Sequence, residues 1–407
     1  AVRDAYLPRL ASGEWIASFA ATEAGAGSDL ASLRTRGEVV GDTLRLTGEK
    51  AYVTNGGFAS SFTVLARTPG FGGARGHSLV FVPRETPGVE IGAEEDKLGI
   101  RGSSTVTVSF DGATVPLDHV LGTPGRGMEH AYHLLTWGRT LMSAGCVGTG
   151  RAALDAALAH VTTRRQFGKP IGDFAATRLH IARMAARLYA MESVVRGVAD
   201  VHASGGSLEA VSAIAKVFAS EGAFKLVDRA LQLQGALGFL EGPGVARLLR
   251  DCRITRIFEG ANDVLLLRVG LARLAAHDVP RGHILGVVPA PLRSAASEVD
   301  GLAERLGEVV ADVRARHGVT AVRHQLVLQR LAVAEISLYA ATNSVLGASS
   351  EEQFALASHA TDLLIEEATT SLDALSRADA DERRALAMSE VLYAPYRDGR
   401  DAPGLSP

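Results

Sequence analysis

The sequence predicts an α+β protein: a small antiparallel β-barrel or sandwich, then a four-helix bundle, then a further all-helical region. Three observations carry this reading. From about Trp15 to Val120, apolar and polar residues alternate with a period near two, in short β-branched runs. After Pro124-Gly125 the apolar period becomes 3.6. A stretch holding three prolines, Pro280 to Pro291, then separates two helical regions.

Within the first region, Glu38 to Val40, the turn pair Gly41-Asp42 and Thr43 to Leu46 read as a hairpin. Phe62 to Ala66, Leu79 to Val82 and Thr105 to Phe110 read as further strands. Helical patterns follow over Arg126–Thr163, Phe174–Ala203, Leu208–Gln234 and Asp263–Ala276. The breaks between them are Gly168-Lys169-Pro170, Gly205-Gly206 and Gly235 to Gly244. Four long helices with short connections make a bundle. Leu292 to Tyr396 is helical again, with apolar residues such as Leu326, Leu328, Leu331, Ile336 and Leu338, and the tail from Ala402 is expected to fray. The expected division is therefore 1–14, 15–124 (β-domain), 125–278 (bundle), 279–291 (linker) and 292–407 (helical extension).

Composition narrows the function. With 47% hydrophobic and 21% charged residues, 44 Gly and 14 Pro, the chain is globular, which excludes a disordered, collagenous or disulfide-stapled protein. A formal net charge of −3 without a Lys/Arg run leaves no electrostatic footprint for nucleic acid. Cys146 and Cys252 form neither a disulfide framework nor a metal spacing, so no metal ligands are expected. No apolar run approaches the roughly 20 residues that span a bilayer, and Arg3, Asp4 and Arg9 interrupt any signal-peptide pattern. The Ala-rich composition and 37 Arg against 5 Lys indicate a GC-rich bacterial coding sequence. The expectation is a cytoplasmic bacterial protein, with peripheral attachment to a membrane left open.

Five motifs carry candidate chemistry. Ala21 to Asp29 is a Gly/Ser/Asp loop whose backbone N–H groups can face an oxygen-rich ligand, or simply a turn. It lacks the Lys of a phosphate loop and the spacing of a dinucleotide fingerprint. Lys50 to Gly57 places Tyr52 and Thr54 on one strand face, where one can stack on a planar ring while the other bonds its edge; a half-buried strand face reads the same way. Arg164 to Ile171 offers an arginine at a helix C-terminal end, either a phosphate clamp or a dipole partner. Gln232 to Phe239 has small residues that permit close approach. Finally, Glu259 lies between Ile257-Phe258 and a helix capped by Asn262 or Asp263. Desolvation there raises a carboxyl pKa and the helix dipole lowers it, which suits an ionised base; a solvated capping residue is the plain alternative.

Taken in order, TEAGAGSD (22–29), GEKAYVTNGG (48–57), KLGIRGSSTVTVSFDGATVP (97–116), RRQFGKPI (164–171), AIAKVFASEGA (213–223), LQLQGALGF (231–239) and RIFEGAND (256–263) resemble segments of the acyl-CoA dehydrogenase family of flavoproteins. The resemblance covers about residues 1–278. HQLVLQRLAVAEISLYAATNSVLGASS (324–350) is similar to the C-terminal helical extension of the very-long-chain branch, whose membrane-associating insertion is shortened here to Pro280–Ser294.

The resemblance implies an FAD-dependent α,β-desaturation of a fatty acyl-CoA, with electrons passed to an electron-transfer flavoprotein. It implies that Phe19, Ala21, Thr22, Gly27 and Ser28 line the flavin, with Ser28 also near the thioester. Tyr52, in place of the commoner Trp, would stack on the ring, flanked by Val53, and Thr54 would donate to flavin N5. Arg164, with Gln166 and Phe167, would hold the cofactor of another subunit, which implies a homodimer. Gln232, Gly235 and Ala236 would meet its ADP half, with Ala261, Asn262 and Asp263 also cofactor contacts. Glu259 would be the catalytic base, with Arg139 near it and Phe258 and Gly260 beside the substrate.

Three departures qualify this picture. Ala236 stands where the family often has Gly, and Ala261 where it often has Thr. The family's N-terminal helical domain is missing from this chain, so either the chain is incomplete or another polypeptide supplies that wall. An acyl-CoA oxidase and a non-catalytic partner subunit of the same fold are the rival readings.

Overall fold

The structure is a computed structural model that describes residues 2–73, 76–242, 244–276 and 283–397. The chain forms two compact units, residues 1–138 and residues 139 onward.

The first unit begins with α1 (Val2–Ala11) and is built on one eight-stranded sheet. Its strands are β1 (Ala17–Ala20), β2 (Arg36–Val40), β3 (Thr43–Thr54), β4 (Ser61–Arg67), β5 (His77–Pro83), β6 (Val89–Glu94), β7 (Thr105–Pro116) and β8 (Val120–Leu121). They run in the order β6-β7-β3-β2-β4-β5-β8, with β1 pairing β4. The expected β-domain is present, and its sheet differs from a purely antiparallel one in two places. β1 runs parallel to β4 from Ala17 opposite Ser61 to Ala20 opposite Val64, and Arg36 pairs in parallel with Arg67. The β2–β3 hairpin supplies the long crossover that a parallel return requires.

Alternation explains the core. Leu44, Leu46 and Val53 of β3, Phe62 and Val64 of β4, Val80 and Val82 of β5, and Val106, Val108 and Phe110 of β7 are buried together. Each such side chain contributes about 1.5–3 kcal/mol on burial. The β3–β7 pairing shifts register twice, after Leu46 and after Lys50: at the second, from Lys50 to Val53, β3 advances three residues while β7 advances two, from Val108 to Val106. This bulge puts Tyr52 at φ 57°. Lys50 and Tyr52, which an unbroken strand would place on one face, are buried and exposed respectively.

The second unit is helical. α2 (Gly127–Thr163) starts in the first unit and continues here, followed by a two-residue hairpin of β9 (Arg165–Gln166) and β10 (Lys169–Pro170). Then come α3 (Ala175–Ala203), α4 (Glu209–Gln234), the short α5 (Ala236–Phe239), α6 (Val245–Arg253) and α7 (Asn262–Ala275). The four long helices match the periodic segments. The sequence reading lacked α6, because nine residues with four charges are too short to show a period.

The extension resolves into α8 (Arg293–His317), α9 (Gln325–Leu346), α10 (Glu351–Asp373) and α11 (Ala378–Arg397). It packs on the bundle rather than hanging from it: α9 lies against α7 and α3, and α10 against α3. At Gly270 of α7 the two backbones meet so closely that a Cβ would stand 2.2 Å from the Leu328 carbonyl oxygen. Tyr189 donates to Ser344 O at 3.0 Å, and Arg187 pairs with Glu367 at 2.6 Å. Of the expected linker, residues 279–282 lie outside the described residues; beyond them the Ile284 N–H donates to Asp300 Oδ1 at 2.7 Å, which ties that segment to α8. The tail expected to fray also lies outside the described residues. Both cysteines are buried free thiols, and burial pushes Cys252 up to about 12. No described helix is long and apolar enough to cross a membrane.

Candidate active site

In the first unit the loop after β1 and the bulge of β3 are joined by a buried ion pair. Lys50, fully buried, reaches Glu23 Oε1 at 2.8 Å and Ala21 O at 3.0 Å. Glu23 also accepts the N–H groups of Arg34 at 2.7 Å and Thr35 at 2.9 Å. Burial acts to raise the Glu23 pKa, but the hydrogen bonds from Lys50, Thr35 and Arg34 outweigh it and hold the carboxyl at about 2. Burial pulls Lys50 below its usual value even so. A main-chain bond from the Ala51 N–H to Thr22 O, 2.9 Å, completes the link.

These bonds tie the loop after β1, which carries the first motif, to β3, which carries the second. Tyr52 is 64% exposed, Phe19 37%, and Ser28 and Thr54 are also exposed. Val53 and Ala21 are buried, so neither presents its side chain to a ligand. Sequence reasoning missed Glu23 and Lys50 as a pair, because they lie 27 residues apart and Lys50 follows another charged residue, Glu49.

In the second unit the catalytic candidates converge on the turn before α7. Glu259 sits at φ 58° and Gly260 at 101°. Arg139, 4% exposed on α2, donates from Nε to the Glu259 carbonyl at 2.8 Å. Lys216, fully buried on α4, donates to Gly260 O at 2.8 Å and Asn262 Oδ1 at 2.7 Å. Asn262 Nδ2 in turn donates to Ser220 Oγ at 3.0 Å and Glu221 Oε1 at 2.7 Å. Burial raises the Glu259 pKa, with Arg139 and Lys216 pulling the other way. Its Oε2 is shielded from solvent and, among the described residues, accepts no hydrogen bond. Burial likewise takes Lys216 down to about 8.

The expected helix cap needs correcting. Ala261 holds the N-cap position of α7 without a side-chain bond, because Asn262 is already committed to Lys216, Ser220 and Glu221. Asp263 is exposed in the first turn, and Phe258 is 38% exposed beside Glu259. Lys216 was legible only as one cation inside the apolar run Ala213 to Ala219; its task was not.

The remaining candidates are surface features. Arg164 and Gln166 are exposed, and Phe167 is 93% exposed at the tip of the β9–β10 hairpin. The turn has φ 51° at Phe167 and 84° at Gly168, both positive as a two-residue type I′ turn demands. Gln232, Gly235 and Ala236 are exposed where α4 ends.

Comparison with known proteins follows the same division. Residues 18–113 match the family described as acyl-CoA dehydrogenase, middle domain, and residues 125–274 that described as acyl-CoA dehydrogenase, C-terminal domain. The chain is 37% identical over 382 residues to the human very long-chain specific acyl-CoA dehydrogenase, covering 84% of this chain and 58% of that protein. It thus spans less than two thirds of that relative's length. The crystal structure of an acyl-CoA dehydrogenase complexed with FAD from Bacillus anthracis superposes with a TM-score of 0.80 at 28% identity, over 98% of this chain and 75% of that one. Butyryl-CoA dehydrogenase from Megasphaera elsdenii gives 0.64 at 35% identity, over 66% and 72%. The chain, from its mixed sheet through the turn that carries Glu259, belongs to the acyl-CoA dehydrogenase family.

Proposed function

We propose that this chain catalyses FAD-dependent α,β-desaturation of a fatty acyl-CoA thioester in the bacterial cytoplasm, with Glu259 as the base. The observation that carries the reading is the Glu259 carboxyl group: half-buried, raised in pKa, and with Oε2 shielded from solvent and accepting no hydrogen bond among the described residues. Such a group has an open lone pair for the substrate α-proton and gains stability on taking it. Arg139 and Lys216 oppose the rise, which keeps the carboxylate available as a base, and their bonds to the carbonyls of residues 259 and 260 hold the strained turn. The Glu259 backbone N–H is assigned to the thioester carbonyl oxygen, whose polarisation acidifies the α-carbon.

The residues present fit FAD. Tyr52 and the donor Thr54, two residues on in the same strand, are both exposed, as are Arg164, Gln166 and Phe167 at the hairpin. Tyr52 and the loop from Phe19 to Ser28 would hold the ring and pyrophosphate, and Gln232 to Ala236 the ADP half. Arg164 would clamp the pyrophosphate bound by a second copy, so the working unit is a homodimer. FAD, when bound, accepts the substrate's β-hydrogen as hydride. An electron-transfer flavoprotein is the expected recipient of the electrons.

The test is anaerobic addition of palmitoyl-CoA to the flavin-loaded protein. Bleaching of the flavin band is expected, with reoxidation faster by electron-transfer flavoprotein than by air. Glu259→Gln is expected to keep FAD and lose at least about 10²-fold in turnover. Bleaching of the variant at the wild-type rate overturns the assignment of the base, and failure of every fatty acyl-CoA to bleach the wild type overturns the reaction.

A further inference from the structure

The C-terminal helices assemble four side chains with metal-ligating atoms that sequence spacing did not reveal. His317 ends α8, and His324 immediately precedes α9. Asp379 and Glu382 lie three residues apart at the start of α11, on one helix face. His317 Nε2 is 3.5 Å from Asp379 Oδ2. His324 Nδ1 is 3.2 Å from Asp379 Oδ1 and 3.6 Å from Glu382 Oε2. The two imidazole centroids are 4.1 Å apart, and ligand atoms of His317, His324 and Asp379 all fall within 4.8 Å of one another. Zinc bonds of about 2.0–2.2 Å place the ligand atoms of a tetrahedron roughly 3.3–3.5 Å apart. The two imidazole–Asp379 distances, 3.5 Å to Oδ2 and 3.2 Å to Oδ1, come close to that edge, one at each carboxylate oxygen.

Two features point beyond a network of ion pairs. Asp379 Oδ1 is shielded from solvent and, among the described residues, accepts no hydrogen bond, even with His324 close by. Glu382 is braced from behind: its Oε1 accepts the Gln325 N–H at 3.1 Å while Oε2 is the oxygen near His324. Outer-shell bonds of this kind orient carboxylates that bind metals. Arg316 is the competing cation, with Nη1 3.5 Å from Asp379 Oδ2. Asp312 holds the same guanidinium at 2.8 Å on the exposed face of α8, so a metal can displace it from Asp379 at little cost.

We propose that His317, His324, Asp379 and Glu382 bind a divalent first-row transition metal of the zinc class, which fastens α11 to the α8–α9 junction. Two imidazoles with carboxylates suit zinc and its neighbours, whereas calcium and magnesium take oxygen ligands. The site uses none of the residues assigned to desaturation, so it stands or falls independently of that reaction.

The experiment is titration of the chelator-stripped full chain with zinc chloride by calorimetry. One zinc per chain is expected in the wild type, with a rise in the thermal midpoint. Asp379→Asn and His324→Ala, checked for unchanged far-UV circular dichroism, are expected to lose both. In the wild type, zinc is expected to protect His317 and His324 from diethyl pyrocarbonate, read by mass spectrometry, which keeps the test open should a variant misfold. No zinc uptake by the wild type, equal uptake in folded variants, or equal labelling of the two histidines with and without zinc overturns the proposal.

Discussion

Glu23→Gln isolates the buried pair that joins the two sheet motifs. The variant keeps the side chain's volume but leaves the fully buried Lys50 ammonium beside a neutral amide 2.8 Å away. Breaking one side of a buried pair typically costs about 3–5 kcal/mol. Lys50 can instead release its proton, and that escape sets a ceiling. From the ordinary lysine value of 10.5, deprotonation costs about 1.4 kcal/mol per pH unit, hence about 4.8 kcal/mol at pH 7 and about 2 kcal/mol at pH 9. The destabilisation, about 3–4.8 kcal/mol at pH 7, should therefore fall to about 2 kcal/mol at pH 9. Glu23→Gln combined with Lys50→Met should recover most of the loss, since no charge is then stranded. Urea unfolding followed by tryptophan fluorescence reads this directly, because the only two tryptophans, Trp15 and Trp137, both belong to the first unit. In the wild type, the Glu23 contribution is fully present above pH 4.5 and disappears as pH falls toward about 2, an acid limb the variant should lack. A loss under about 1 kcal/mol at pH 7, no relief at pH 9, or a double variant no better than the single one would refute the reasoning.

Burial raises Glu259, and a base must be ionised in the free enzyme, so kcat/KM should climb with pH through a value above the ordinary 4.5; a limb centred at 4.5 would count against it. Over the same window the second unit should lose stability as pH rises, because the unfolded carboxyl ionises first. Arg164→Ala should weaken FAD retention about 10- to 150-fold, the equivalent of a charge-assisted bond of roughly 1.5–3 kcal/mol, and full occupancy after dialysis would argue against the clamp. Gly270→Ala puts a Cβ 2.2 Å from the Leu328 carbonyl and should cost about 1–3 kcal/mol in thermal unfolding of the helices; an unchanged midpoint would show that α7 and α9 are not locked there. Light scattering of the full chain should give a homodimer, and a tetramer would sink that assignment.

Much of the fold was legible because its elements are long and periodic. The four bundle helices and the Gly41-Asp42 hairpin follow from spacing and turn chemistry alone. What escaped was set by tertiary context. α6 is too short to display a period, and the parallel partner of β1 is chosen by a crossover that no local pattern encodes. The β3 bulge reverses which residues face the core beyond Lys50, and the carboxylate partner of Lys50 comes from a loop 27 residues away that no local pattern reveals. At the candidate site, the apolar neighbours of Glu259 left a base and a solvated capping residue both open, and the family resemblance is what singled it out as the base. Lys216 and Asn262, which hold that turn, come from helices joined only in space, and the histidines of α8 and α9 meet α11 for the same reason.

Six non-glycine residues are described with positive φ, and three of them, Tyr52, Phe167 and Glu259, are also residues assigned to the site. For an L-residue that backbone costs about 1–2 kcal/mol, which glycine would largely relieve. Selection for folding alone, once selection for activity is lifted, should favour glycine at these positions. A lineage descended from this chain that has given up the reaction is therefore expected to show glycine first at 52, 167 and 259, while its core stays as it is. The strained backbone thus serves as a clock that starts when function lapses.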